Sequence, residues 1–110
     1  PSLVAWRILS RVADAFMTVD EDEAISVMKR LADPVGTDPA IVAGESGGVG
    51  LAGLIRAAGD PAIRQALSLD GHSRILLVNT EGATDPGKYQ EIVGRSPAAV
   101  AAKFKTGASA

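Results

Sequence analysis

Two glycine-bearing segments hold the side chains best placed to do chemistry. The first, Gly44-Glu45-Ser46-Gly47-Gly48-Val49-Gly50, opens a predicted helix. Backbone N–H groups at a helix start, freed by glycines, can hold an anion. No Lys-Ser/Thr pair follows, so this is not a Walker motif, and it is only a loose relative of the dinucleotide fingerprint. Its plain structural reading is that glycines 44, 47, 48, 50 and 53 allow close helix packing. The second segment, Asn79-Thr80-Glu81-Gly82, ends the aliphatic run RILLVN (74–79). In open α/β sheets, ligands bind outside the carboxyl ends of the strands, and Thr80 occupies that position. Its hydroxyl can donate and accept a hydrogen bond, and Gly82 lets a flat ligand approach the backbone. On position alone, an ordinary strand-to-loop turn is the leading account of this pattern.

Other chemistry is excluded or weak. The chain has no cysteine, which removes a disulfide scaffold, a thiolate nucleophile and a Cys-ligated metal. His72 is the single histidine and sits in a DGHS turn, where it reads as solvated. Asp20-Glu21-Asp22-Glu23 reads as an exposed helix start, its acids too close in sequence to converge on one ion without a loop. Trp6 and Phe16 read as core or inter-domain packing, and Lys88 and Tyr89 as helix surface.

These residues need elements to hold them. Residues 1–14 carry apolar positions at spacings of three and four, which predicts a helix with one wide buried face after a Ser2 cap. AFMTV (15–19) reads as a strand. Asp20 and Glu23 have capping-box spacing and open a helix running to about Ala32. DPVGTDP (33–39) is turn chemistry. VGLAGLIRAA reads as a small-residue helix packed against other backbone, followed by a short helix at 62–68 and a turn at Asp70-Gly71. RILLVN reads as a strand buried on both faces of a parallel sheet. Helices at about 86–93 and 97–104 follow, the second capped by Ser96 before Pro97. Strands separated by helices predict an α/β fold with a mostly parallel sheet.

Length and charge set the outer limits. With 110 residues, the chain is about one domain with a modest core. Eleven basic and thirteen acidic residues argue against a nucleic-acid surface. No apolar run reaches about 18 residues, so no membrane span is predicted. The first residues lack signal-peptide grammar, which points to a cytoplasmic protein. Pro1 stands where Met would begin a chain, and two strands are too few for a sheet, so the chain is expected to be part of a larger protein. The tail TGASA is expected to fray. With its strand flanks uncovered, the chain by itself is expected to associate or be partly ordered.

Taken together, IVAGESGGVGLAGL and ILLVNTEGATDP resemble the C-terminal part of the diaminopropionate ammonia-lyase family. That family belongs to the fold-type-II (tryptophan synthase β-like) pyridoxal-phosphate enzymes. In this group a Glu-x-x-Gly helix start precedes a strand ending in Ser/Thr-x-Gly, here Glu45 and Thr80. The Tyr three residues past Pro86, the VGRSP stretch and the opening PSLVAWRIL…ADAFMTVD are similar to the ammonia-lyase branch, so the likeness covers nearly all 110 residues.

The resemblance implies pyridoxal phosphate as cofactor and α,β-elimination of 2,3-diaminopropionate to pyruvate and ammonia. It implies that Thr80 meets the pyridine nitrogen, that Glu45, Ser46 and Gly47 approach the ring, and that Glu81 and Gly82 form the loop beside it. It places the Schiff-base lysine, the phosphate loop and the acid–base carboxylates in an N-terminal part that this chain lacks. Residues 1–110 are then the C-terminal portion of a catalytic domain, with no catalytic residue of its own, inactive alone. The partners implied are an amino-acid substrate, the missing N-terminal part and a second subunit in a homodimer, with no nucleic acid and no membrane. Two other readings stay open: a serine/threonine dehydratase-like fragment, and a non-enzymatic α/β anion-binding or regulatory module.

Overall fold

The computed structural model describes residues 2–102. The expected tail and the end of the last helix, residues 103–110, lie outside the described residues. In chain order the helices are α1 (Leu3–Val12), α2 (Glu21–Ala32), α3 (Val49–Gly59), α4 (Pro61–Ala66) and α5 (Pro86–Val93). Residues 97–102 are also helical.

Local chemistry sets these boundaries. The Ser2 hydroxyl accepts the Ala5 N–H at 3.1 Å and starts α1. At α2 the Glu23 carboxylate turns back to accept the Asp20 N–H at 2.7 Å, the arm that capping-box spacing predicts. Asp60 accepts the N–H groups of Ala62 and Ile63 at 2.9 and 3.3 Å, with Pro61 at the first helical position. Asp85 does the same for Lys88 at 3.1 Å ahead of Pro86. The Ser96 hydroxyl accepts from Ala99 at 3.1 Å, as its place before Pro97 predicts. Gly94, at φ +86°, ends α5 in a conformation that costs other residues energy.

α2 lies at the centre, with α3 and α5 both packed on it, and α4 folds back on α3. Gly48 brings α3 against α2 so closely that a Cβ there would come within 2.8 Å of Val27. The core is small: Met28 and Ala32 of α2 meet Ala40, Tyr89 and Val100. Tyr89 is thus a core residue, 2% exposed, and not the helix surface expected. One α5 face packs on α2, and Tyr89 occupies it.

Arg56 locks α3 to the start of α2. Its guanidinium donates to Glu23 at 2.7 and 2.8 Å, to Asp20 at 3.1 Å and to the Thr18 carbonyl at 3.2 Å. The Asp20 N–H first, and Arg56 second, hold the Glu23 carboxyl below the ordinary glutamate value. A carboxyl whose native pKa is lowered contributes stability that is complete above its unfolded value. That contribution is lost as the pH falls through the native one. Urea midpoints followed from neutral to acidic pH are therefore expected to fall less steeply for Glu23→Gln than for the wild type. Identical slopes would show that the Glu23 carboxylate, held by the Asp20 N–H and Arg56, adds no acid-sensitive stability.

Three further expectations differ from the structure. The α1 helix forms where predicted, yet all ten of its residues are exposed, because no element among the described residues covers them. Trp6 and Phe16 stack on each other, with ring centroids 6.3 Å apart and the rings tilted by 40°, and both stay exposed. Residues 15–19 and 74–79 are not paired into strands, and no strand ladder forms among the described residues. A strand requires a neighbour about 4.8 Å away to take its N–H and C=O groups. The helices here supply none. The RILLVN run therefore lies uncovered, with Leu76 87% exposed.

Candidate functional site

The stretch 40–48 runs from the core into α3 by a non-helical segment and a turn. Ala40 and Ala43 anchor it, at 2% and 0% exposed. The run 74–79 delivers Asn79 alongside. There the two glycine-bearing segments meet: the Gly44 N–H donates to the Glu81 carbonyl at 2.9 Å. The Asn79 side-chain NH2 donates to the Val42 carbonyl at 3.0 Å.

Glycine is required at this seam. A Cβ on Gly47 would overlap the Glu81 carbonyl oxygen and Asn79 Oδ1. One on Gly44 would lie 2.6 Å from the Gly82 carbonyl and 2.7 Å from Glu81 Oε1. Gly44 and Gly47 thus permit close packing, but against the non-helical second segment and not against another helix as expected.

The expected site residues fall on or beside this seam. Thr80 is exposed, and its hydroxyl has no hydrogen-bond partner among the described residues. Ser46 is exposed and Gly47 buried. A Cβ on Gly82 would meet open space, so a planar group can approach its backbone. Glu81 is half-buried, and its Oε1 accepts from the Thr84 hydroxyl at 3.1 Å. Glu45 is half-buried, with its Oε1 enclosed and unpartnered. A buried acceptor without a donor is costly, so it marks a place where a donor is wanted.

A cleft of about 180 Å³ opens here, bounded by Gly44, Glu45, Glu81 and Gly82, with Lys88 and Tyr89 on its α5 side. The structure thus brings Glu45, Glu81 and Gly82 onto one cleft and leaves Thr80, Ser46 and Gly47 off its lining. Tyr89 contributes a hydroxyl that is buried and unpartnered, and burial raises its pKa, partly offset by Arg95. Among the described residues, no group of three or more His, Asp or Glu side chains could hold a metal ion. His72 stays in its turn, its N–H bonded to Asp70 at 2.7 Å.

Sequence reasoning missed Asn79 and Tyr89. The signal for Asn79 was its place at the end of an aliphatic run, where an amide can both donate and accept. For Tyr89 it was the Tyr89–Ile92 spacing on one face of α5.

No family model matches the chain. Diaminopropionate ammonia-lyase of Escherichia coli strain K12 is 36% identical over 104 residues, 92% of this chain and 26% of its own length. The Salmonella typhimurium protein of that name is 33% identical over 102 residues, 87% of this chain and 25% of its own length. The crystal structure of the Escherichia coli enzyme in complex with D-serine superposes with a TM-score of 0.75 at 35% identity, over 84% of this chain and 25% of that one. The chain therefore spans about a quarter of the length of the relatives it matches. The likeness read from the two motifs is found along nearly the whole chain.

Proposed function

We propose that this chain, related along almost its full length to diaminopropionate ammonia-lyase, is the C-terminal part of a pyridoxal-phosphate-dependent lyase. That enzyme carries out the α,β-elimination of 2,3-diaminopropionate to pyruvate and ammonia. One observation carries the reading: the Gly44 N–H bonded to the Glu81 carbonyl joins the two motifs that the resemblance assigns to the cofactor.

On this reading a flat heteroaromatic ring would lie between the cleft residues Glu45 and Gly82 and Thr80 beside them. Thr80 offers a free hydroxyl, Gly82 an open approach and Glu45 an unpartnered oxygen. When bound, pyridoxal phosphate supplies the electron sink that lets a leaving group depart from the carbon next to an amino acid's α-carbon. Thr80 would hold the ring nitrogen with a neutral hydroxyl, which unlike a carboxylate would not keep that nitrogen protonated. This tempers the sink and suits elimination. Ser46 and Gly47 would carry the start of α3 toward the ring, Gly47 from beneath the seam, and Glu81 and Gly82 would shape the loop beside it.

The Schiff-base lysine, the phosphate loop and the acid–base carboxylates belong to the N-terminal part of the enzyme. So do the neighbouring strands that turn residues 15–19 and 74–79 into a parallel sheet and give the chain its α/β fold. The intact enzyme is a homodimer in the cytoplasm. No helix among the described residues is long and apolar enough to cross a membrane.

Thr80 tests the assignment in the intact enzyme. Thr80→Val keeps the shape but removes the hydroxyl, and is expected to cost about 1–3 kcal/mol of cofactor binding where the ring nitrogen is buried. Thr80→Ser should be mild. Thr80→Asp should favour a protonated ring nitrogen and change the cofactor's absorbance. Cofactor titration and the visible spectrum check all three. Wild-type affinity and spectrum in Thr80→Val would remove Thr80 from the site.

A further inference from the structure

We propose that Asn79 is a positioning residue for the cofactor, acting through its side-chain amide on both segments of the site at once. This inference rests on the lyase reading above. Asn79 directly precedes Thr80, and its NH2 group donates to the Val42 carbonyl at 3.0 Å. Its Oδ1 lies over Gly47, where a Cβ would overlap it. One planar amide therefore ties the end of the 74–79 run to the backbone entering the Gly44–Gly48 turn and also fills the space above that turn.

The consequence is a matter of alignment. Beside this amide, the only backbone hydrogen bond across the seam among the described residues is that from Gly44 to Glu81, at 2.9 Å. A single hydrogen bond leaves two chain segments free to pivot about it. A second, placed two residues away on each side, fixes their angle. That angle sets the Thr80 hydroxyl relative to Glu45, since each follows one of the bonded residues closely in the chain. Asn79 touches no reacting atom, so its effect must be transmitted by Thr80 and by the turn.

The test uses the intact enzyme with pyridoxal phosphate as the titrated ligand. Asn79→Ala removes the donor and is expected to weaken cofactor affinity about three- to tenfold. It should also reduce the visible circular dichroism of the bound cofactor, a signature that reports ring orientation and that a purely structural role would not move. Asn79→Asp is nearly isosteric and cannot donate when ionised, so its loss should be at least as large. Should the alanine variant fail to fold, the aspartate variant carries the test.

If Asn79 acts through Thr80, then Thr80→Val should cost less in the Asn79→Ala background than in the wild type. Additive losses, or unchanged affinity and dichroism in the Asn79 variants while Thr80→Val is impaired, would overturn this inference and leave the lyase reading standing. A wild-type enzyme that takes up no pyridoxal phosphate would overturn both.

Discussion

Gly47→Ala is expected to cost about 1–3 kcal/mol of stability and to weaken cofactor retention in the intact enzyme by more than any loss of a single hydrogen bond. The added methyl meets a backbone oxygen, that of Glu81, and the Asn79 amide on the same side. Neither is the far end of a flexible side chain. The Glu81 carbonyl cannot retreat without stretching its 2.9 Å bond from the Gly44 N–H, and Asn79 cannot retreat without leaving Val42. Denaturant unfolding and cofactor titration measure the two losses. Gly59→Ala is the control, because a Cβ at the end of α3 meets open space and Gly59 has no left-handed φ. It should be neutral or stabilise by up to about 1 kcal/mol. Equal stabilities for the two variants would mean that the seam is loose enough to absorb a methyl group.

Tyr89→Ala is expected to lose about 3–5 kcal/mol, the range for removing a buried aromatic side chain. Tyr89 is 2% exposed and joins α5 to Met28 and Ala32 of α2 and to Val100. The remaining core is mostly alanine and cannot close over the hole. Tyr89→Phe should behave oppositely, at or slightly above wild-type stability. The hydroxyl it removes is buried without a partner, so its desolvation is a cost that phenylalanine escapes. Thermal or urea unfolding of the pair separates packing from polarity. A Phe variant as unstable as the Ala variant would show that the hydroxyl has a partner in the working enzyme.

What could be read in the sequence divides by range. The caps at Ser2, Asp60, Asp85 and Ser96 are local chemistry between residues two or three apart, and each was legible or follows the same rule. The meeting of the Gly44–Gly48 turn with the Thr80 loop was legible only through the paired motifs. Nothing in the spacing of either one points at the other. Arg56 and Glu23 lie 33 residues apart, and no periodicity announces that the end of one helix will reach the start of another. Tyr89 failed for a different reason: eight residues of mixed character give a weak stripe, and burial on the α2 side decided its fate. The sheet is the clearest limit. Apolar runs at 15–19 and 74–79 carry strand composition, but each needs a partner strand, and the described residues supply neither with one.

The uncovered run at 74–79 also bears on how such a protein survives its own synthesis. Ile75, Leu76, Leu77 and Val78 are four aliphatics in a row, all at least 40% exposed, with no proline or charge among them. A window of this kind templates cross-β stacking between copies and is bound by chaperones while it stays bare. Arg74 at its head and Glu81 just past its end act as gatekeepers, since stacking in register would pile like charges on one another. The aliphatic composition that would suit the run to a central strand thus sets a deadline. Until neighbours cover it, its company is chosen by concentration, and afterwards by the fold.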